Sequence, residues 1–223
     1  MTSIIEDLKN RLLNKRIYIF IDAANLERSV KDMYVDPRDI PEEFKSLTSD
    51  KLCWRVDYKK LKIFFENFSE LKKILFYSAE LDSDSHHNFR YFLDKNGYKV
   101  KTKPLKEYLD HTEEKPHRKA NFDVEIAVDA VSKMQKFDTF ILFSGDCDFE
   151  YLLKFLRGAN RQCITFSRSG HVSKELPPAS NKYFDIVDFR FYILKICNIN
   201  NNKNNVNNKV CNNDTQFSKK QKS

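Results

Sequence analysis

FILFSGDCDF, residues Phe140 to Phe149, is the stretch from which this chain is best read. Phe140, Ile141, Leu142 and Phe143 form an apolar run of strand length that stops at Ser144 and Gly145. Asp146 and Asp148 follow, on either side of Cys147. The apolar positions Tyr151, Leu152, Leu153, Phe155 and Leu156 then recur with helical spacing up to Gly158. A strand that ends in glycine and delivers two acids to a helix start puts those acids on one edge of a sheet. Open α/β sheets keep their sites at that edge.

The same arrangement occurs earlier. Arg16 to Ile21, RIYIFI, is apolar enough for a central strand covered on both faces, and it runs into Asp22 and then AANL, with Asn25 close behind. Ile74 to Tyr77 is a further short strand, with a helix expected through Phe89 to Leu93 and ended by Asn96-Gly97. Tyr98 to Leu105 alternates and reads as a third strand, Asp138 to Phe143 as the fourth and Cys163 to Phe166 as the fifth. Val124, Ile126, Ala127, Ala130, Val131 and Met134 make a helical stripe, with Asp123 in its first turn, where the helix dipole favours a carboxylate. Strands alternating with helices imply an α/β three-layer sandwich with a central, mostly parallel sheet, because parallel neighbours require crossovers.

The 223 residues suffice for one sizeable core. The expected organisation is an N-terminal helix over 1–15 packing on the domain, a domain over 16–196, and an Asn/Lys-rich disordered tail over 197–223. Within the domain, 33–54 reads as an irregular insertion leaving the same edge as Asp22. The polar stretch Lys106 to Asn121 reads as a long loop. A mean hydropathy of −0.62 and 32% charged residues argue against a membrane protein, and the charged N-terminus lacks a secretory core. A cytoplasmic location is expected, and the five scattered cysteines read as free thiols. Of the net charge of +7, more than half lies beyond Cys197, so the high pI says little about a binding face on the domain.

In a parallel sandwich Asp22, Asp123, Asp146 and Asp148 all fall at the carboxyl edge. Two carboxylates about 4 Å apart repel by roughly 4 kcal/mol at an effective dielectric near 20, so four together call for protonation or a cation. Mg²⁺ or Mn²⁺ is the simplest answer, being oxygen-seeking and retaining waters for a substrate phosphate. Such a site suits phosphodiester hydrolysis, with the four aspartates as catalytic residues and metal ligands. The plainer reading of each Asp singly is a helix cap.

FIDAANL, KANFDVEIAVDA and ILFSGDCDFEYLLKFLRG, in this order, resemble the NYN domain family, a branch of the PIN-like nuclease superfamily. The resemblance spans about Arg16 to Phe191. It implies a PIN-like (Rossmannoid) α/β fold, an acidic Mg²⁺- or Mn²⁺-binding pocket and RNA as substrate and partner. The family's aspartates fall on Asp22, Asp123, Asp146 and Asp148. Its Asn falls on Asn25, expected to orient a metal water or a substrate phosphate, and its Ser on Ser144, expected to bind substrate. Ala23 and Ala24 depart from the Gly or Ser of many relatives.

Arg118 and Lys119, with His117, Lys101, Lys103 and Lys106, are candidates for holding phosphates at the rim, against the plainer reading of a solvated loop. Asp129 lies six residues beyond Asp123, a rotation of about 240°, and is expected behind the ligands or on the helix surface. Glu125 reads as solvated, Cys147 as a buried filler and Trp54 as a packing anchor. The leading function is a metal-dependent ribonuclease; the alternative is a non-catalytic RNA-binding or scaffolding module of the same fold. A phosphoaspartyl phosphatase would want a second Asp near Asp22, where Ala23 and Ala24 stand. No membrane partner is expected, and self-association into a homo-oligomer is left open.

Overall fold

A computed structural model describes residues 3–104, 106–108 and 117–199. Helix α1 (Ile4–Leu12) opens the chain, capped by the Ser3 hydroxyl and burying Leu8 and Leu12. Strand β1 (Arg16–Asp22) leads into α2 (Ala23–Lys31). After three short 3₁₀ turns between Pro37 and Lys51 come β2 (Leu52–Val56), α3 (Tyr58–Glu66), β3 (Glu70–Glu80), α4 (Asp84–Lys95) and β4 (Tyr98–Pro104). Next are β5 (Lys106–Tyr108) and β6 (His117–Lys119), then α5 (Asp123–Lys133), β7 (Thr139–Phe143), α6 (Glu150–Gly158) and β8 (Gln162–Ser167). The described chain closes through α7 (Leu176–Ala179), β9 (Lys182–Asp185), α8 (Arg190–Ile193) and β10 (Leu194–Asn198).

Six strands form the central sheet in the order β4-β3-β1-β7-β8-β9, every pair parallel. The chain therefore builds outward from β1 to one edge, returns to the centre at β7, and builds to the other edge. Crossovers of one hand then place helices on opposite faces of the two halves. The packing agrees. Ile17, Ile19 and Ile21 of β1 pack with residues of α1 to α4, whereas Tyr18 and Phe20 pack with residues of α5, α6 and α7. Alternate side chains of one buried strand thus serve two cores, which is why β1, β7 and β8 read as nearly unbroken apolar runs.

At the amino edge, Asp138 just before β7 clamps Arg16. It accepts from the Arg16 backbone N–H at 3.0 Å and from the guanidinium at 3.0 and 2.7 Å. At the carboxyl edge, β1 and β7 are the adjacent strands at which the order reverses. Their ends carry Asp22 on one side and Ser144 to Asp146 on the other. Such a reversal opens a crevice between neighbouring loops, because the chain leaves the two strands in opposite directions.

Several expectations are corrected in detail. The stretch read as a loop over Lys106 to Asn121 contributes an antiparallel ribbon, with Lys106 opposite Lys119 and Tyr108 opposite His117. Its polar alternation hid the strands, since a two-stranded ribbon need bury neither face. The last part of the 33–54 stretch is strand β2, which pairs antiparallel with β10 from Leu52–Asn198 to Val56–Leu194. Cys197 and Asn198, assigned to the tail, therefore belong to that ribbon; the rest of the tail, from 200 on, lies outside the described residues. The stretch is pinned where Arg190 meets Asp39 at 3.0 Å and where the Trp54 indole donates to Tyr34 O at 3.1 Å. Trp54 is buried, as a packing anchor should be. The stretch also begins beyond the far end of α2, about 13 Å from Asp22 along nine residues of helix, and not at the acid edge. The sixth strand, β9, was missed: only Tyr183 and Phe184 mark it as apolar.

Candidate active site

Asp22 ends β1 and caps α2. Its Oδ1 accepts from the Asn25 N–H at 3.2 Å, and its Oδ2 accepts from the Ser144 hydroxyl at 3.4 Å. Ser144 is buried at the end of β7, and its Oγ also accepts from the Asp146 N–H at 3.3 Å. Asp146 in turn caps the turn Cys147–Phe149, its Oδ1 accepting from the Asp148 N–H at 3.2 Å. The two strand ends are thereby stitched together by caps. Each cap uses one carboxylate oxygen and leaves acceptor capacity free.

Gly145 is held by both neighbours. Its N–H donates to Asn25 Oδ1 at 2.8 Å and its carbonyl accepts from Ser173 N at 2.9 Å. A Cβ at this position would stand 2.1 Å from His171 O and 2.9 Å from Val172 Cα. The glycine is required because the segment after β8 lies directly on it. The sequence showed Gly145 only as a strand stop; its steric role depends on a segment some 25 residues away.

Asp123 is the first residue of α5, and its N–H donates to Asn121 Oδ1 at 3.0 Å. Burial, together with the charges of Asp146, Asp148 and Asp22, pushes the Asp123 carboxyl up to about 6. Burial also raises Asp22, with the Asp146 charge adding to it. Asp146, Cys147 and Asp148 present ligand atoms within 4.8 Å of one another. Asp22 and Asp123 stand outside that tightest group and are coupled to it electrostatically. Among the described residues, no Lys or Arg forms an ion pair with any of these four aspartates. Asp7, Asp129 and Asp138, by contrast, each meet a basic side chain.

The other candidates sort differently. Asn25 and Ser144, expected to touch substrate, spend hydrogen bonds on joining β1 to β7. Asp129 lies apart from the four acids: it is buried, accepts from the Tyr77 hydroxyl at 2.6 Å, and pairs with Lys101 at 2.5 Å and with Lys133. Burial alone would raise its pKa, but these donors hold the carboxyl at about 2. Lys101 is thus engaged away from the rim. Lys103 meets Glu125 at 2.7 Å and lies over the Phe122 ring, on either side of Asp123 in the chain, so Glu125 is paired and not simply solvated. Cys147 is exposed, correcting its reading as a buried filler: the turn Cys147–Phe149 directs Phe149 into the core instead. Arg118 and Lys119 fall on β6, and their side chains lie outside the described residues, as does Lys106.

The signature of the NYN domain matches residues 16–188, most of the described chain. The chain belongs to the NYN domain family. NYN domains are generally nuclease-like and typically use divalent metals. The low amplitude and bright protein LabA of Synechococcus elongatus is 32% identical over 145 residues, covering 64% of this chain and 78% of LabA. A crystal structure of a protein of unknown function from Vibrio parahaemolyticus superimposes with a TM-score of 0.58 at 19% identity, covering 81% of this chain and 96% of that one. That likeness shows the α/β fold. No helix among the described residues is long and apolar enough to cross a membrane.

Proposed function

We propose that this NYN domain is a metal-dependent ribonuclease. The observation that carries the reading is that four aspartates from β1, α5 and the turn after β7 gather at the sheet reversal with no basic ion-pair partner among the described residues, whereas Asp7, Asp129 and Asp138 each meet a basic side chain. Burial and the neighbouring acid charges raise the Asp22 and Asp123 carboxyls, and a bound cation would stabilise the charged form of such groups. Asp146 and Asp148, with Asp22 and Asp123, would hold Mg²⁺ or Mn²⁺. Bound there, the ion supplies a water of lowered pKa and neutralises charge on a phosphodiester. Without the ion the Asp123 carboxyl keeps its proton up to about 6, and binding the ion would displace it. Ser144 and Asn25 act one step back, fixing the relative positions of Asp22 and Asp146. RNA is the proposed partner on the strength of the family.

Incubation of the protein with labelled single-stranded and structured RNA in Mn²⁺ tests the proposal. Cleavage is expected in the native protein and a loss of at least a hundredfold in Asp146→Asn. Cleavage unchanged by that substitution would overturn the assignment of the acid site, and salt-dependent RNA binding with no turnover in any divalent metal would favour the scaffolding reading.

A further inference from the structure

The ribbon of β2 and β10 lies outside the six-stranded sheet and carries two cysteines that the acid site does not use. Its register runs unbroken from Leu52–Asn198 to Val56–Leu194 and sets Cys53 directly opposite Cys197. Side chains along a strand alternate between faces. Leu52, Trp54 and Leu194 are buried, whereas Arg55 and Lys195, also opposite one another, are exposed. Cys53 and Cys197 therefore share the outward face with that basic pair, and both residues are half-buried.

The separation suits a bond. The Asp57 N–H donates to the Ile193 carbonyl at 2.9 Å, one step beyond Val56 and Leu194 in the same register. Hydrogen-bonded and non-hydrogen-bonded pairs alternate along an antiparallel ladder, so Cys53 and Cys197, four positions on, are a hydrogen-bonded pair with Cα atoms about 5.5 Å apart. Disulfides most often span about 5.5–6 Å between Cα atoms. Opposed Cβ atoms lie about 4.5–5.5 Å apart and a disulfide takes roughly 3.5–4.5 Å, so the ribbon has to close by about 1 Å. It can yield that far, because no third strand pairs with either of its edges.

The other cysteines are placed differently. Cys163 is sealed in the core, where burial pushes its thiol up to about 12. Cys147 is exposed in the turn after β7, and Cys211 lies outside the described residues. A metal is not the better occupant of the pair, since the group of three candidate ligands found among the described residues is Asp146, Cys147 and Asp148.

We propose that Cys53 and Cys197 are a site of reversible oxidation, closing a disulfide that staples β10 to β2 by exchange with a low-molecular-weight disulfide. One cysteine thiolate attacks the S–S bond of the reagent, forms a mixed disulfide and expels one small thiolate. The second attacks the protein sulfur of that mixed disulfide, closes the Cys53–Cys197 bond and expels the other. The two cysteine protons end on the two small thiols, and the reagent takes up the two electrons. The bond ties residues more than a hundred positions apart and does not depend on the ribonuclease reading.

The test equilibrates the folded, fully reduced chain in EDTA with mixtures of oxidised and reduced glutathione, followed by alkylation and peptide mass mapping. An intramolecular Cys53–Cys197 link, two hydrogens lighter than the dithiol, is expected as the main product and should reopen in excess reduced glutathione. The oxidised chain should melt several degrees higher than the reduced one, because the link restricts the unfolded chain. Cys53→Ser and Cys197→Ser should each abolish both the link and the rise, and should melt as the reduced native chain does. Glutathione left attached at either cysteine without closure, a link that forms only in urea, or preferential pairing with Cys147 or Cys211 would overturn the site. A Cys53–Cys197 link that leaves the melting temperature unchanged would overturn the staple.

Discussion

Asn25 and Gly145, 120 residues apart, are joined by a 2.8 Å hydrogen bond from the glycine N–H to the asparagine side-chain oxygen. The bond spans the two strand ends at which the sheet order reverses, and it sets how far Asp22 stands from Asp146. Asn25→Ala leaves the buried Gly145 N–H unsatisfied and should cost about 1–3 kcal/mol in urea denaturation. The proposed metal affinity should fall with it, because the two halves of the acid set lose their tie. Full stability with weakened RNA cleavage would instead assign Asn25 to substrate.

Gly145→Ala tests the same junction sterically. The new methyl would meet the His171 carbonyl at 2.1 Å, and both contacting atoms named for that segment, His171 O and Val172 Cα, belong to the backbone. Overpacking of this kind costs typically about 1–3 kcal/mol. Gly158→Ala serves as the control, since a Cβ there has open space around it. The control should be neutral or slightly stabilising, as expected for alanine replacing glycine in a helix. Comparing the two urea midpoints checks the pair.

The pH dependence follows from Asp123. Its folded pKa, about 6, lies above the ordinary carboxylate value, so the folded chain binds more protons than the unfolded chain between roughly pH 4 and 6. The metal-free stability contributed by this group is therefore present at low pH and is lost as pH rises through 6. Asp22, also raised, acts in the same direction. Thermal melts in EDTA across pH 4.5 to 7.5 should show this decline superimposed on the other titrations, and Asp123→Asn should flatten it. Added Mn²⁺ should restore stability most strongly at the higher pH, where the carboxylates no longer compete with protons for it.

How much of this was legible in the sequence depends on how local each cause is. The apolar runs RIYIFI and FILF announce central strands because both faces of those strands are buried, and Asp22 and Asp146 announce caps because the residues they cap lie two or three positions on. Strand β9 and the β2–β10 ribbon were not legible. Their pairing partners are distant and their own residues do not alternate cleanly. Cys147 was misplaced for a related reason: spacing alone does not reveal that a 3₁₀ turn at Asp146 sends Phe149 inward and leaves the thiol outside. The roles of Lys101 and Lys103 were hidden because each basic side chain finds its acid on α5, across a segment of about 20 residues with no regular period.

Asp129 marks the boundary between acids that hold the fold and acids proposed to serve the site. Tyr77, Lys101 and Lys133 converge on it, and it is largely excluded from water. Asp129→Asn keeps the shape but removes the charge, so two lysines lose their partner near the core. The lysine side chains are 39% and 24% exposed and can recover solvation, so the cost should be near 2 kcal/mol and below the range for a fully buried pair. Because its folded pKa is about 2, the contribution of Asp129 is present above the ordinary carboxylate value and is lost as pH falls from about 4 toward 2. Urea denaturation at pH 7 and pH 3 should show a large difference between native protein and Asp129→Asn at pH 7 and a smaller one at pH 3. Mn²⁺ titration of Asp129→Asn should give native affinity. A tenfold loss of that affinity with stability intact would move Asp129 into the metal site and break the distinction between paired and unpaired acids on which the proposed function rests.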